Sequence, residues 1–147
     1  MQAVLISIQP QWVDKIFHQI SELNGKPVYK KEDEARKSRP NTSVPFKVFI
    51  YESKRRKKVV GHFICDNISV PTHGDGVISE NSRRKTALSP CEIADYAADG
   101  TVFFWHISDL KIYDKPRELS EFSKYGFGHP VPLKRPPQSW MYVEVEQ

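Results

Sequence analysis

Apolar residues in this chain fall mostly into short runs separated by polar or proline-containing segments, a pattern typical of β-strands. The predicted strands are Val4–Ile8, Phe46–Tyr51, Val59–Cys65, Thr101–Ile107 with an irregular continuation to Tyr113, and Trp140–Val143. Strands outnumber helices, and the first and last segments are both strand-like. This order predicts an α+β fold, a small, partly open β-barrel of about five to six strands flanked by two or three helices.

Helical spacing is found in one long segment and two short ones. Apolar residues three and four apart predict an amphipathic helix from about Pro10 to Leu23, with Asn24–Gly25 as its C-cap. A capping box predicts a short helix over Cys91–Ala98. The segment Pro116–Phe122 can form one or two helical turns. Trp12, on the first helix, is interpreted as a core residue rather than a stacking platform.

The length of 147 residues fits one domain, which we expect to span residues 1–147. Two segments lack apolar periodicity and are predicted loops. The first, at about 71–89, is expected to be flexible, and the second is the Gly- and Pro-rich Tyr125–Pro137. Ser53–Lys58 between two predicted strands is expected to form a hairpin tip.

The composition of the chain limits the classes of function that it can have. The chain is 39% hydrophobic and carries a net charge of +4, which is compatible with a nucleic-acid partner. No apolar run approaches the roughly 20 residues that span a bilayer, and the N-terminus has no signal-peptide pattern, so a cytoplasmic protein without membrane contact is expected. Cys65 and Cys91 are expected to be thiols, although one disulfide is possible. The five histidines are scattered, so neither a metal nor a cofactor is predicted.

Basic side chains concentrate in three clusters. The densest, Lys30–Pro40, holds five basic and three acidic residues, and this charge density predicts an exposed strand or loop. Its basic groups either face an anionic ligand or are simply solvated. The hairpin tip and Ser82–Thr86 form the other two clusters, interpreted as solubilising or as secondary phosphate contacts. The candidate secondary contacts are Lys54, Arg55, Arg56, Arg83 and Arg84.

Five segments, in order and spread over nearly the whole chain, together resemble the ASCH family of the PUA-like superfamily. They are Val4–Phe17, the E-x-R-K-x-R-P element Glu34–Pro40, Val44–Tyr51, Trp105–Pro116 and Pro137–Trp140. The resemblance implies a PUA-like barrel with a cleft beside it that accepts RNA or a nucleoside-sized ligand.

The charged element departs from the G-x-K-T-x-E-x-R pattern of that family. An ungapped reading back from Arg36 places Glu34 at the glutamate and Lys31 at the lysine. A gapped reading instead places Gly25–Lys26 at the glycine and lysine. The candidate ligand-binding residues are Lys31, Glu34, Arg36, Lys37, Arg39, Tyr51, Trp105 and Ser139.

Each candidate has a chemical role and an alternative. The arginines offer planar forks for phosphate or a base edge, and lysines supply charge. Glu34 either accepts hydrogen bonds from a base or ribose or holds Arg36 by a salt bridge. The aromatic rings of Tyr51, Trp105 and Trp140 stack on bases or, as is more usual on strands, pack in the core.

The favoured function is a binding module for RNA or a modified nucleoside or nucleotide. The alternatives are a small hydrolase, resembling N4-acylcytidine amidohydrolases or ribonucleases, and a protein-interaction adaptor. In the amidohydrolase pattern a threonine nucleophile follows the lysine by three residues, and here Glu34 follows Lys31 at that spacing. We therefore assign no catalytic residue and expect little hydrolysis of N4-acetylcytidine.

Overall fold

The computed structural model describes residues 2–17, 33–70 and 103–145 in full and the backbone of four short strands at 22–23, 26–27, 73–74 and 77–78. The strands are β1 (Gln2–Ile8), β2 (Glu22–Leu23), β3 (Lys26–Pro27), β4 (Asp33–Arg36), β5 (Phe46–Glu52), β6 (Lys58–Ser69), β7 (His73–Gly74), β8 (Val77–Ile78), β9 (Phe103–Arg117) and β10 (Trp140–Glu144). The helices are α1 (Pro10–Phe17) and a 3-10 turn at Leu119–Glu121.

Six strands form one curled sheet in the order β10-β1-β5-β6-β9-β4, a half-barrel that confirms the predicted α+β, partly open barrel. β1 and β5 pair in parallel, and the other neighbours in this sheet pair antiparallel. The long strands β6 and β9 shift register at three places, and such irregularities bend a strand and strengthen its twist. The curl therefore brings the two edge strands, β4 and β10, toward each other.

The core lies on both faces of this sheet, because successive side chains of a strand point to opposite sides. Along β1, Val4 and Ile6 are buried in one cluster with Trp105, while Ala3 and Leu5 are buried in a second with Phe122. Burial on both faces explains why the first strand is an unbroken apolar run rather than an alternating one.

Helix α1 is shorter than the sequence predicts. It ends at Phe17, and Leu23 belongs to β2, which pairs with β3 in the register Glu22↔Pro27 and Leu23↔Lys26. The dipeptide between these strands is Asn-Gly, which is typical of a two-residue hairpin as well as of a helix end. The prediction of a helix reaching Leu23 is therefore wrong. The buried residues of α1 are Val13 and Ile16, which face the first cluster as predicted.

The other predicted elements agree with the structure to different degrees. The tip between β5 and β6 is a turn as predicted. β9 continues through Pro116 and Arg117, which were predicted to be helical, and the 3-10 turn begins only at Leu119. β7 and β8 pair inside the predicted flexible loop, and the rest of that loop and the predicted helix Cys91–Ala98 lie outside the described residues.

At Gly61, strands β6 and β9 lie too close together for a side chain to fit between them. A Cβ placed on it would lie 2.4 Å from the carbonyl oxygen of Lys111 on β9 and 3.2 Å from the ring of Phe17. The position also falls at one of the register shifts between β6 and β9. The strand pairing and the packing of α1 over it thus both depend on the absence of a side chain.

In the part of the chain that the structure describes, no helix has the length and apolar character needed to cross a bilayer. No group of three or more His, Cys, Asp or Glu side chains in that part is arranged to hold a metal ion.

Candidate functional site

A cavity of about 340 Å³ lies where the end of β1, the start of α1, strand β4 and the approach to β10 meet. We call it the site cavity. Its described lining is Ser7, Ile8, Gln9, Trp12, Glu34, Ala35, Arg36, Ser53, Pro136, Pro137 and Gln138. The cavity thus includes two members of the charged element singled out in the sequence, Glu34 and Arg36.

Strand β4 holds part of the charged element, Asp33–Arg36, and this part is not exposed as predicted. Asp33 and Glu34 are buried, with 6% and 7% of their surfaces accessible. Burial is possible because each carboxylate meets a basic partner. Asp33 Oδ1 lies 2.9 Å from His106 Nδ1 on the neighbouring β9, and Glu34 Oε1 lies 3.4 Å from Arg36 Nε. The prediction of an exposed segment is therefore wrong for Asp33–Arg36 and right for Lys37–Arg39, which are exposed. The sequence does not reveal that the Asp33 carboxylate meets His106 on the neighbouring strand.

Arg36 joins the two edges of the half-barrel. Its Nη2 donates a hydrogen bond to the Ser7 carbonyl oxygen at 3.0 Å, at the end of β1. Its Nη1 donates to Ser139 at the start of β10, 3.2 Å from Oγ and 3.4 Å from the carbonyl oxygen. With only 12% of the side chain exposed, the guanidinium is committed largely to the protein. Arg36 therefore holds the cavity wall together and fixes the Ser139 hydroxyl.

Uncharged polar groups and one indole complete the cavity wall. None of these groups was predicted from the sequence to belong to the site. Ser7 Oγ donates to the Pro137 carbonyl oxygen at 2.6 Å, and the Ser53 amide donates to the Ile8 carbonyl oxygen at 2.9 Å. Trp12 is half-buried, packs against the core as predicted, and also lines the cavity. The available signal was position: Ser7 and Trp12 flank the junction from the first strand to the first helix.

The cavity wall carries less positive charge than the sequence predicts. Among its described lining residues, Glu34 and Arg36 are the charged ones, and they form a pair. The described wall is therefore close to neutral rather than basic. Positive charge lies around it: Lys15 Nζ stands 4.4 Å from the centre of the Trp12 ring, and Lys37 is exposed just beyond β4.

Among the described candidates, Lys37, Arg39 and the aromatic residues do not line the cavity. Arg39 is exposed and donates to the carbonyl oxygen of its neighbour Pro40 at 3.5 Å. Trp105 is fully buried and Tyr51 is 6% exposed, so both pack in the core and offer no face for stacking. Burial, and then the charge of Glu118, raise the pKa of Tyr51.

Ser139 and Trp140 lie at the rim between β4 and β10. Ser139 is exposed, and Trp140 is partly buried, with its Nε1 donating to Ser38 Oγ at 2.9 Å. Its ring stacks edge-on against Trp105, with centroids 6.0 Å apart. Trp140 thus joins the segment after β4 to the core and is anchored rather than free to receive a base.

The hairpin tip is more structured than a solvated cluster. Glu52 is fully buried, and its Oε1 lies 2.6 Å from Arg55 Nε while its Oε2 lies 3.5 Å from Arg56 Nη1. Arg55 also forms a bidentate pair with Asp14 of α1: its Nη2 donates to Oδ1 at 2.8 Å and its Nη1 donates to Oδ2 at 3.2 Å. The hydrogen bonds with Asp14, then Glu52, raise the pKa of Arg55. Arg55 and Arg56 are therefore paired with carboxylates of the protein, although both remain exposed, as Lys54 is.

The two other titratable groups with large shifts lie away from the cavity. Burial raises the pKa of Cys65 to about 12, which keeps this thiol protonated and unreactive. Burial, with the charges of Lys47 and Lys111, lowers the pKa of His62 to about 4. The candidates Lys31, Arg83 and Arg84 and the second cysteine lie outside the described residues.

The matches of this chain to known proteins are matches to solved structures. No protein-family model matches the chain, and no curated protein sequence does either. The crystal structure of ASCH from Zymomonas mobilis matches with a TM-score of 0.67 at 21% identity, covering 97% of this chain and 87% of the other. The chain has an ASCH fold. The resemblance expected from the sequence is thus confirmed for the fold.

Two single-site variants of the Zymomonas mobilis ASCH protein match equally well. One has a serine replaced by alanine and the other a tyrosine replaced by phenylalanine. Both reach a TM-score of 0.66 at 20% identity over 97% of this chain, and they are covered to 88% and 90%. The whole half-barrel, including both edges that frame the cavity, is therefore within the span of the ASCH fold.

Proposed function

We propose that this ASCH-fold chain is a binding module for RNA or a modified nucleotide, and that the site cavity receives one nucleoside unit. The observation that carries the proposal is the composition of the cavity. An indole, a buried carboxylate, two hydroxyls and two side-chain amides line about 340 Å³ of space. Single-stranded RNA is recognised in general by aromatic contact with the base and hydrogen bonds to its edge.

The roles of individual groups follow from their chemistry. Glu34 lines the cavity beside Arg36 and would accept a hydrogen bond from a base amino group or a ribose hydroxyl. Gln138 is exposed at the wall and supplies both a donor and an acceptor. Trp12 supplies apolar ring surface. Lys15, which stands over the Trp12 ring, and the exposed Lys37, directly after β4, supply positive charge for the phosphate of a bound nucleotide.

The test compares RNA binding by two matched aromatic variants. Trp12→Leu removes the ring at the cavity, and Phe127→Leu removes an exposed ring that does not line it. Calorimetric titration uses a single-stranded RNA hexamer of random sequence. Because base–aromatic contacts are worth about 1–3 kcal/mol, Trp12→Leu should bind roughly 5- to 100-fold more weakly.

Phe127→Leu should bind as the wild-type chain does. Circular dichroism of both variants serves as the control for folding. Equal affinity of folded Trp12→Leu and wild type, or no RNA binding by the wild-type chain, would overturn the proposal.

A hydrolase acting on a similar ligand is the alternative. The amidohydrolases that the sequence resembles carry a threonine nucleophile where Glu34 stands, and here Glu34 is engaged with Arg36. A carboxylate held by a guanidinium is a weaker nucleophile than an activated hydroxyl. We expect N4-acetylcytidine and the RNA hexamer to remain intact on incubation, as followed by mass spectrometry. Release of cytidine or shortened RNA would make the chain an enzyme.

A further inference from the structure

A second cavity, of about 670 Å³, shares Pro136, Pro137 and Gln138 with the site cavity as a common wall. We call it the basic groove. Its described lining includes three cations, Lys124, Lys134 and Arg135, over an apolar floor that includes Leu133 and Met141. A wall of three residues measures at most roughly 10 Å even when fully extended, so the two cavities are immediate neighbours.

The groove is built on a fixed part of the long loop. The Leu133 amide donates to the Phe122 carbonyl oxygen at 2.9 Å, and the Leu133 side chain is 2% exposed in the core. The Lys124 amide donates to the Val131 carbonyl oxygen at 2.9 Å. Lys134 and Arg135 follow the anchored Leu133 directly, so their backbone positions are fixed although their side chains are exposed.

The cations of the groove differ from those of the hairpin tip. Within the described residues, the side chains of Lys124, Lys134 and Arg135 make no hydrogen bond or ion pair, and no acidic residue lines the groove. At the tip, by contrast, Arg55 pairs with both Glu52 and Asp14, and Arg56 pairs with Glu52. The groove therefore keeps the uncompensated positive charge that the site cavity lacks.

We propose that the basic groove binds the phosphodiester backbone of an RNA strand whose base occupies the site cavity. This inference rests on the proposed function and makes it specific: the ligand is an oligonucleotide of more than one residue, not a free nucleoside. Cations tracking a phosphate backbone beside a base pocket are the usual physical solution for single strands. An acidic peptide would meet the same charges, but continuity with the site cavity favours RNA.

The experiment separates the two cavities by ligand length. Mixed 5′-mononucleotides and random-sequence RNA of three and six residues are titrated into wild type, the double variant Lys134→Ala/Arg135→Ala, and the control Lys111→Ala/Lys115→Ala. The control removes the same charge from exposed lysines of β9 that do not line either cavity. A peptide of six glutamates tests the other anionic partner.

We expect the wild-type chain and the control to bind the trimer at least tenfold more tightly than the mononucleotides. The double variant should lose that gain and keep its mononucleotide affinity. Its slope of log K against log salt for the hexamer should fall by about 1.4, or about 0.7 for each lost phosphate contact.

Two results would overturn the inference while leaving the proposed function intact. They are equal affinity of wild type for mononucleotides and trimer, and an unchanged length dependence in the double variant. Binding of hexaglutamate as tight as that of RNA would overturn the assignment to RNA. Failure of every nucleotide to bind would overturn both the inference and the proposed function.

Discussion

At the scale of single residues, Arg36 is the residue whose role in the structure differs most from the role predicted from the sequence. The resemblance places it in the site, and it does line the site cavity. Its donors, however, reach Ser7, Ser139 and Glu34 instead of standing free for a phosphate. Its place in the site could be predicted from the motif. Its pairing with Glu34 was one of the two predicted alternatives. Its contacts with Ser7 and Ser139 could not be predicted, because these residues lie far from Arg36 in the sequence.

Replacing Arg36 tests this structural role. Arg36→Ala should lower the free energy of unfolding by about 2–3 kcal/mol, because it removes several hydrogen bonds made by a charged group and takes a cationic partner away from the buried Glu34 carboxylate. Urea denaturation measures the change. Arg39→Ala is the control, since Arg39 is exposed, and its change should stay within about 0.5 kcal/mol. Equal stability of the two variants would contradict the role of Arg36 in joining the sheet edges.

His62 leads to a prediction about how the stability of the folded chain depends on pH. Burial, then Lys47 and Lys111, holds its pKa at about 4 in the folded chain, below the ordinary value of 6.5, and its Nδ1 lies 2.7 Å from the Tyr113 hydroxyl. The unfolded chain therefore binds this proton more tightly. The contribution of His62 to stability is complete above pH 6.5 and falls as the pH is lowered toward 4.

The measurement compares unfolding of wild type and His62→Gln at several pH values between 4.5 and 7. The variant should lose less stability over this range than the wild-type chain. His129→Gln changes an exposed histidine and should follow the wild-type profile. Parallel profiles for His62→Gln and wild type would show that His62 does not carry this pH dependence.

At the scale of elements, five strands of the six-stranded sheet could be predicted from the sequence, whereas the ends of the helices could not. Apolar runs located β1, β5, β6, β9 and β10 because burial on one or both faces of a sheet selects such runs. The extent of α1 was overestimated because Leu23 fits helical spacing by chance, whereas its pairing with Lys26 decides its conformation. Strand β4 was missed as a buried strand because the partners of its charges, such as His106, lie far along the chain.

Gly61 offers a sharp test of the β6–β9 pairing. Gly61→Ala should destabilise the chain by about 1–3 kcal/mol, because its Cβ would meet the Lys111 carbonyl oxygen at 2.4 Å. Gly128→Ala is the matched control: no atom lies within 4 Å of its added Cβ, so the change should be under about 1 kcal/mol. Thermal unfolding of both variants provides the measurement. A Gly61→Ala variant as stable as the control would contradict the close approach of the strands.

At the scale of the whole molecule, the ASCH fold and the site cavity differ in how far the sequence predicts them. The fold follows from short motifs that occur in order along the chain. The cavity is assembled from segments as distant as 7–12, 34–36, 53 and 136–138, and only the curl of the sheet brings them together. Local patterns therefore indicated Glu34 and Arg36 but not Trp12, Ser53 or Gln138.

The most direct test of RNA binding in the site cavity is an NMR titration of ¹⁵N-labelled protein with the random-sequence RNA hexamer. Signals of the Ser7 and Gln138 amides and of the Trp12 indole N–H should shift first and most. Those of Lys124 and Lys134 should shift as the strand enters the basic groove. Shifts confined to the hairpin tip around Lys54, or no shifts at all, would contradict nucleotide binding in the site cavity.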